Sequence, residues 1–482
     1  MKKIVISRLF LYKHRFVLGY ILLGLAFIGL LFGLPLLSPN GLSNAEMESA
    51  VSSVNLEPDA VFSGDLVDLP YRLLQKFSIM FFGLNAYAIK LPSIIIGLLL
   101  GFLLILLLNR WFKNNVSLLA SILVILSTPF LYLAGTGTPL IMIVFWPTFL
   151  LWLGSKIQGV NRPEPRFCFS FALAMLLSIF TPYMLYFAFF CVCFVFAQPH
   201  LRFVLKSLPK IPLIITGLLT TIGIAALCIN IVKTPGVLME LLFSKNFNFG
   251  SFWNNLSSGF APVFSWSSSL ESTLLSPLVS LPTFALALIG LLSTTRGFFA
   301  SRNSIATLLL IFSIIITGFN PNAVLFIILP FSILVAHGLK YVLEQWYGLF
   351  PENPYARIFA LVPLSILLGI MIVPSLSQYI YGYKYNPSVA NQFNNNLSII
   401  RSNLNDETLV IPENTLEYNF YKILESDTNV RVVSKLNEDV SGTVASLTKL
   451  EEVPEHYTLT RIITSAKSDN SDIIYLYTVE GE

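Results

Sequence analysis

The sequence predicts an α-helical polytopic membrane protein of about 11 transmembrane helices with a small C-terminal extracytoplasmic α/β domain, and three observations carry that expectation. First, 55% of the 482 residues are hydrophobic and only 12% are charged, whereas soluble proteins average about 25% charged. Second, apolar runs approaching or reaching the roughly 20 residues needed to cross a bilayer recur through the first three quarters of the chain. Third, charge divides unevenly. Residues 1–376 carry 22 Lys and Arg against 11 Asp and Glu, a net +11, and residues 377–482 carry 8 against 15, a net −7. The expected division is therefore a transmembrane domain at 1–376 and a soluble domain at 377–482. Topology accounts for the basic surplus, so no nucleic-acid partner is expected.

The elements follow in order. A basic stretch at 1–15 feeds an apolar run at 16–37 that lacks a small-residue cleavage site, which reads as a retained first helix. Further passes are expected at 91–108, 116–133, 140–153, 167–180, 183–197, 211–232, 275–292, 305–319, 323–339 and 358–374. The pair at 167–180 and 183–197 forms one uncharged run broken by Thr181 and Pro182. Basic residues flank it on both sides (Arg162 and Arg166 before, Arg202, Lys206 and Lys210 after), so two short passes satisfy the charge rule where one would break it. With this count 17 Lys and Arg of the membrane part fall in cytoplasmic segments and 5 in external ones. That bias predicts a cytoplasmic N-terminus and an extracytoplasmic C-terminal domain, in a multi-pass protein of a prokaryotic plasma (cytoplasmic) membrane.

Two long outer loops are expected, 38–90 and 233–274. Six acids crowd the first: Glu46, Glu48, Glu57, Asp59, Asp65 and Asp68; Glu240 and Glu271 lie in the second. No carboxylate falls in the middle of a predicted helix, which argues against an ion pathway. The stretch LPYRLLQKFSIMFFG at 69–83 suits a helix lying in the membrane interface, and residues 236–243 with Phe247, Phe249, Phe252 and Trp253 suit the lipid–water boundary. In the C-terminal part, helices are expected at 389–404 and 416–425, and strands at 408–412, 429–434, 457–465 and 472–480.

Motifs that identify an enzyme unaided are absent. There is no His-Glu-x-x-His, no Walker loop and no Gly-x-Ser-x-Gly. The four cysteines lie in apolar runs and imply no disulfide framework, His337 reads as structural, and no residues are assigned as metal ligands. The acidic first loop is where charge, length and membrane position coincide, although such a loop is otherwise a solvated face.

At this loop the chain resembles the GT-C membrane glycosyltransferases, in particular protein O-mannosyltransferase-like and lipid A aminoarabinose transferase-like proteins. The residues that carry the resemblance are GLSNAEMESA at 41–50, LPY at 69–71 and FGLNAYAIKLPS at 82–93. The family has an acidic pair soon after the first helix, a Pro-rich segment, a Phe-Gly, and an Arg-Leu-Pro-Ser that opens the second helix; here Lys90 stands for the Arg. Of the acidic pair, the first position falls on Ala45 and the second on Glu46. Asp68 lies near a lysine position of the Pro-rich segment, and the turn at 135–139, which often carries an acid in the family, has none and is followed by Leu140.

The resemblance implies transfer of a hexosyl or pentosyl group from a polyprenyl-phosphate-linked donor to an extracytoplasmic lipid, glycan or protein acceptor, within a cell-envelope pathway and beside membrane lipids. It implies an acid as base, for which Glu46, Glu48 and Asp68 are the candidates, and cations that receive the departing phosphate, for which Arg72, Lys76 and Lys90 are the candidates. No cofactor is certain, and a divalent cation is the one left open. Two rivals remain: a catalytically inactive GT-C-like lipid- or glycan-binding or envelope-assembly protein, which the missing acids favour, and a transporter or flippase, which would place its cavity near the midplane.

Overall fold

The computed structural model describes residues 15–57, 66–158, 165–208, 210–243, 249–264, 273–297, 300–349, 355, 359, 361–403, 408–413, 415–428, 430–436, 443–450, 453–454, 456–464 and 472–479. Asp59, Asp65 and Glu271 lie outside them.

The chain is a multi-pass membrane protein, and helix occurs at each of the eleven expected segments. Among the described residues six helices are long and apolar enough to cross a membrane alone, and up to eight if each of two bent pairs is one span. The first pair, Asn114–Ile125 and Thr128–Gly135, bends by 65° where Pro129 withholds a backbone donor; the second, Met184–Ala197 and Pro199–Ser207, bends by 96° at Pro199. Residues 165–197 do form two short helices, Pro165–Ser178 and Met184–Ala197, with Tyr183 in the left-handed region between them.

Burial sorts the helices. The Pro321–Gly348 span is 83% buried and stands at the centre, while Ile214–Lys233 and Val362–Tyr385 are 17% and 11% buried and line the rim. The rim exposes large apolar side chains such as Leu218, Val232, Ile366 and Val373. Water would not tolerate such a surface, and lipid covers it at no cost. At the centre the Leu281–Thr295 and Ile328–Leu349 helices approach through glycine. A Cβ on Gly290 would collide with the Leu334 carbonyl, and one on Gly338 with the Leu286 carbonyl, so backbone meets backbone there.

The segments that surround the candidate site gather at one face. Helix α1 (Arg15–Leu37) leads to the two-residue strand β1 (Leu42–Ser43), then to α2 (Asn44–Val54), α3 (Leu69–Phe82) and the long α4 (Ala86–Trp111). The C-terminal unit sits over them. Strand β1 pairs antiparallel with β2 (Phe393–Asn394). Beyond it β3 (Thr408–Val410), β4 (Arg431–Val433), β5 (Val444–Ser446), β6 (Tyr457–Thr464) and β7 (Ile473–Val479) form a sheet in the order β4-β3-β5-β7-β6, parallel through β4, β3 and β5 and antiparallel thereafter. One apolar core joins Leu42, Met47, Ala50, Ile79 and Ile89 of the membrane part to Leu397, Leu409, Phe420 and Leu424 of the C-terminal unit. We call this side the domain face. The Leu361–Tyr385 helix runs without a break through residue 376 toward it. The helix expected at 389–404 is instead two short helices, Pro387–Ala390 and Asn396–Asn403, on either side of β2, and β5 was not expected.

Candidate functional site on the domain face

The chain leaves α1 against the last long helix, where the Tyr379 hydroxyl donates to the Ser38 carbonyl at 2.8 Å. Gly41 then takes a φ of +98°, and a Cβ there would strike the Asn394 carbonyl. Only glycine lets β1 approach β2 this closely. Ser43 caps α2 with a reciprocal capping box: its hydroxyl accepts from the Glu46 N–H at 3.4 Å, and its own N–H donates to Glu46 Oε2 at 2.8 Å.

Glu46 is fully buried. Its Oε2 also accepts from the Ser43 hydroxyl at 3.1 Å, and its Oε1 accepts from the Gly137 N–H at 2.7 Å. The carboxylate therefore ties the start of α2 to the turn that follows Thr128–Gly135. Gln75 of α3 holds the other side of that turn. Its Nε2 donates to the Gly137 carbonyl at 3.0 Å and to the Ile89 carbonyl at 3.1 Å, while its Oε1 accepts from the Ser49 and Ser53 hydroxyls at 2.8 and 2.7 Å. Each of these buried polar groups finds its partner, which makes the network a rigid frame. Gly137 fits between them because a Cβ would overlap Ile89.

Among the expected phosphate ligands, Lys90 is buried and its Nζ donates to the Pro39 and Gly41 carbonyls at 3.0 and 2.8 Å. Arg72, also buried, donates through Nη2 to the Ser52 carbonyl. Lys76 donates to the Leu56 carbonyl at 2.5 Å. All three cations reach the first loop, Lys90 at the start of α2 and Arg72 and Lys76 at its end, and neutral backbone carbonyls there are among their partners. Helix α3 carries two of the cations on a segment whose opposite side exposes Leu74, Phe77, Met80 and Phe81, the amphipathic division expected of an interfacial helix.

Asp68 differs from the other acids. It occupies the N-cap of α3, where an aspartate ordinarily accepts the first free N–H groups, yet its backbone is left-handed (φ 56°, ψ 24°) and its side chain makes no cap. Instead its own N–H donates to the Phe180 carbonyl at 2.8 Å, and its carbonyl accepts from the Tyr71 and Arg72 N–H groups at 3.0 Å each. Oδ1 is buried with no hydrogen-bond partner among the described residues. Burial pushes the carboxyl up to about 7, against the opposing pull of the Arg72 guanidinium and with a smaller push from Glu240. A non-glycine residue held at positive φ is uncommon and clusters at functional sites. Glu48 is exposed on α2 and makes no polar contact among the described residues.

The structure thus separates the three candidate acids: Glu46 is a buried post, Glu48 is solvated, and Asp68 is half-buried, with its Oδ1 sealed from solvent and its side chain free of the helix it precedes. Gln75, Gly137 and Tyr379 were missed. The role of Glu46 had a signal, since Ser43-Asn44-Ala45-Glu46 is the spacing of a capping box; Gln75 had none. Among the described residues no three His, Cys, Asp or Glu side chains group to hold a metal ion. An apolar cavity of about 40 Å3, lined by Val124, Leu278, Leu325, Ile328 and Phe331 and bordered by Ser127 and Ser280, opens among the helices.

No protein-family model matches the sequence, and no curated protein matches it either. The fold is similar to that of ArnT from Cupriavidus metallidurans. Against ArnT bound to undecaprenyl phosphate the TM-score is 0.51 at 11% identity, covering 96% of this chain and 98% of that one. Against the apo state it is 0.52 at 13% identity with the same coverage. The Archaeoglobus fulgidus oligosaccharyltransferase, tethered with an acceptor peptide, aligns at a TM-score of 0.49 and 12% identity over 85% of this chain and 63% of that one. At these identities the likeness is one of fold, and the fold of this chain is that of ArnT.

Proposed function

We propose that this protein is a membrane glycosyltransferase that moves a sugar from a polyprenyl-phosphate-linked donor to an acceptor hydroxyl on the extracytoplasmic side, with the domain face outward. The observation that carries the proposal is Asp68: a half-buried, uncapped carboxyl with one oxygen sealed from solvent, its pKa pushed up to about 7, one turn before Arg72, at the start of an interfacial helix on a GT-C scaffold. ArnT, which has this fold, has been crystallised with undecaprenyl phosphate.

In this reading the acceptor oxygen attacks the anomeric carbon while the bond from that carbon to the phosphate oxygen breaks. The Asp68 carboxylate takes the hydroxyl proton as the new bond forms, which requires a base whose pKa lies near the working pH. Arg72, with Lys76 one turn on, neutralises the departing polyprenyl phosphate, and Lys90 offers a second charge at the other end of α2. Each exchanges a neutral carbonyl for a charged oxygen, the stronger partner. Glu46 holds the frame and does not touch substrate, and Glu48 is a solvated acid. The apolar cavity supplies a surface for the isoprenoid tail. No step passes through a metal ion.

The experiment is sugar transfer by the purified protein in lipid, supplied with a panel of polyprenyl-phosphate sugars and comparing wild type with Asp68→Asn and Glu46→Gln. Transfer lost in Asp68→Asn with unchanged donor binding supports the assignment; transfer that survives it moves the base elsewhere. The rival reading, an inactive binding protein, is favoured by Glu46, whose oxygens are both committed to backbone groups. Donor binding without transfer by wild type would establish that rival.

A further inference from the structure

The face opposite the domain face holds a second cavity, of about 120 Å3, which the proposed reaction does not use. It lies among helix ends: Trp111 closes α4, Gly154 and Ser155 come from the Met142–Gln158 helix, and Arg302 from the first turn of the Ser301–Phe319 helix. Phe171 and Phe190 line it deeper in. From Ser155 down to Leu150, which also lines it, five helical residues span about 7 Å, so the cavity reaches from the headgroup layer into the hydrocarbon. Its lining is apolar except at the rim, where Arg302 is partly buried. One Arg302 donor is used on the Trp111 carbonyl at 3.0 Å, and most of the five guanidinium donors remain for a ligand.

Among the described residues cations prevail on this face. Arg110, which donates to the Ser155 carbonyl at 3.3 Å, Lys156 and Arg202 stand around the rim. Among the described residues the helix ends of this face carry a single acid, Glu344, and it lies 3.8 Å from Lys340. A cavity with an aromatic floor, a cationic rim and a depth of about one and a half helical turns, set in the rim of a membrane bundle, matches one class of molecule. We propose that it binds an anionic glycerophospholipid of the leaflet opposite the domain face, with the phosphate on Arg302 and the start of an acyl chain between Phe171 and Phe190.

Gly154 makes the proposal testable without damage to the fold, because a Cβ added there meets nothing within 4 Å. The full-length protein in detergent would be offered equal amounts of phosphatidylglycerol and phosphatidylethanolamine with identical acyl chains, and retained lipid read by native mass spectrometry. One unit of headgroup charge near a cation favours phosphatidylglycerol by about fivefold in wild type. Arg302→Gln should erase that preference and leave acyl-chain binding, and Gly154→Leu should remove the retained lipid altogether, with both variants melting as wild type. Equal retention of the two lipids by wild type, or an unchanged preference in both variants, would overturn the proposal. Displacement of phosphatidylglycerol by inorganic phosphate alone would also overturn it, since the site would then belong to a free anion.

Discussion

Replacing Asp68 by Asn tests chemistry and electrostatics together. Asparagine keeps the shape and cannot ionise. The wild-type carboxyl titrates near 7, so about one eleventh of it is ionised at pH 6 and ten elevenths at pH 8. If it is the base, kcat/KM of wild type rises about tenfold between those values and levels off above them. The variant should lose on the order of 10²–10⁴ in rate, the usual contribution of general-base catalysis, and its residual rate should be flat across the window. Stability gives an independent reading with the opposite slope. A carboxyl raised from 3.8 to about 7 by burial keeps its proton longer in the folded state than in the unfolded one. Its contribution is present in full below pH 3.8 and is lost as pH rises to about 7. The rise corresponds to at most about 4 kcal/mol, lessened by the partial exposure of the residue. Wild type should therefore melt lower at pH 8 than at pH 5, and Asp68→Asn should lose that difference and melt above wild type at pH 8. A variant that keeps both the wild-type rate and its pH profile would refute the assignment of the base, and an unaltered melting profile would refute the buried carboxyl itself.

Three further outcomes follow from the same geometry. Glu46→Gln keeps one acceptor oxygen for two backbone donors, Ser43 N–H and Gly137 N–H, so one is left buried and unpaired at a cost of about 1–3 kcal/mol; a lower melting temperature with the pH profile of transfer unshifted is expected, and a shifted profile would make Glu46 the base. Gly290→Ala forces a methyl group into the Leu334 carbonyl and should lower the melting temperature by the equivalent of about 1–3 kcal/mol, an unchanged value counting against the close helix crossing. A nitroxide at Met80, on the exposed side of α3, should collide more with oxygen than with a water-soluble relaxant in lipid vesicles; the reverse order would take α3 out of the interface.

The apolar runs made the bundle legible because lipid imposes a length and a composition on every crossing. The expected boundary at 376 followed the change in charge, but the Leu361–Tyr385 helix continues past it. Tyr379 and Tyr383, one turn apart, stay buried against the bundle, so a helix can leave the apolar composition before it leaves the protein. The helix expected at 389–404 was lost to tertiary structure. Phe393 and Asn394 pair with β1, 350 residues earlier in the chain, and no local pattern reports such a partner. Strand β5 was invisible because three small residues, Val444, Ala445 and Ser446, carry no periodicity, although they lie fully buried in the middle of the sheet. The site was legible as a place and not as an arrangement. Charge density marked the first loop, and the capping-box spacing marked one engagement of Glu46, but only the left-handed turn at Asp68 and the distant Gly137 complete the distinction between a free carboxyl and an engaged one.

The position of the buried charges also weighs between the rival readings. A transporter needs polar groups near the midplane, between halves that rock about them. Here the central Pro321–Gly348 span is the most buried of the crossing helices, and its buried ionisable residue, His337, stacks edge-on against Phe112 beyond the far end of α4. The other buried ionisable residues of the membrane part, Glu46, Arg72 and Lys90, lie in the loop and helix ends of the domain face. They are locked there by β1, β2 and the shared core beneath the C-terminal unit. A frame tied this firmly to one face resists alternating access, while it suits a reaction that must hold a lipid-borne phosphate and a water-borne hydroxyl at the same boundary. Arg72, Lys76 and Lys90 each hold a carbonyl of residues 39–56, and a motion local to that loop serves such a reaction better than a rearrangement of the bundle.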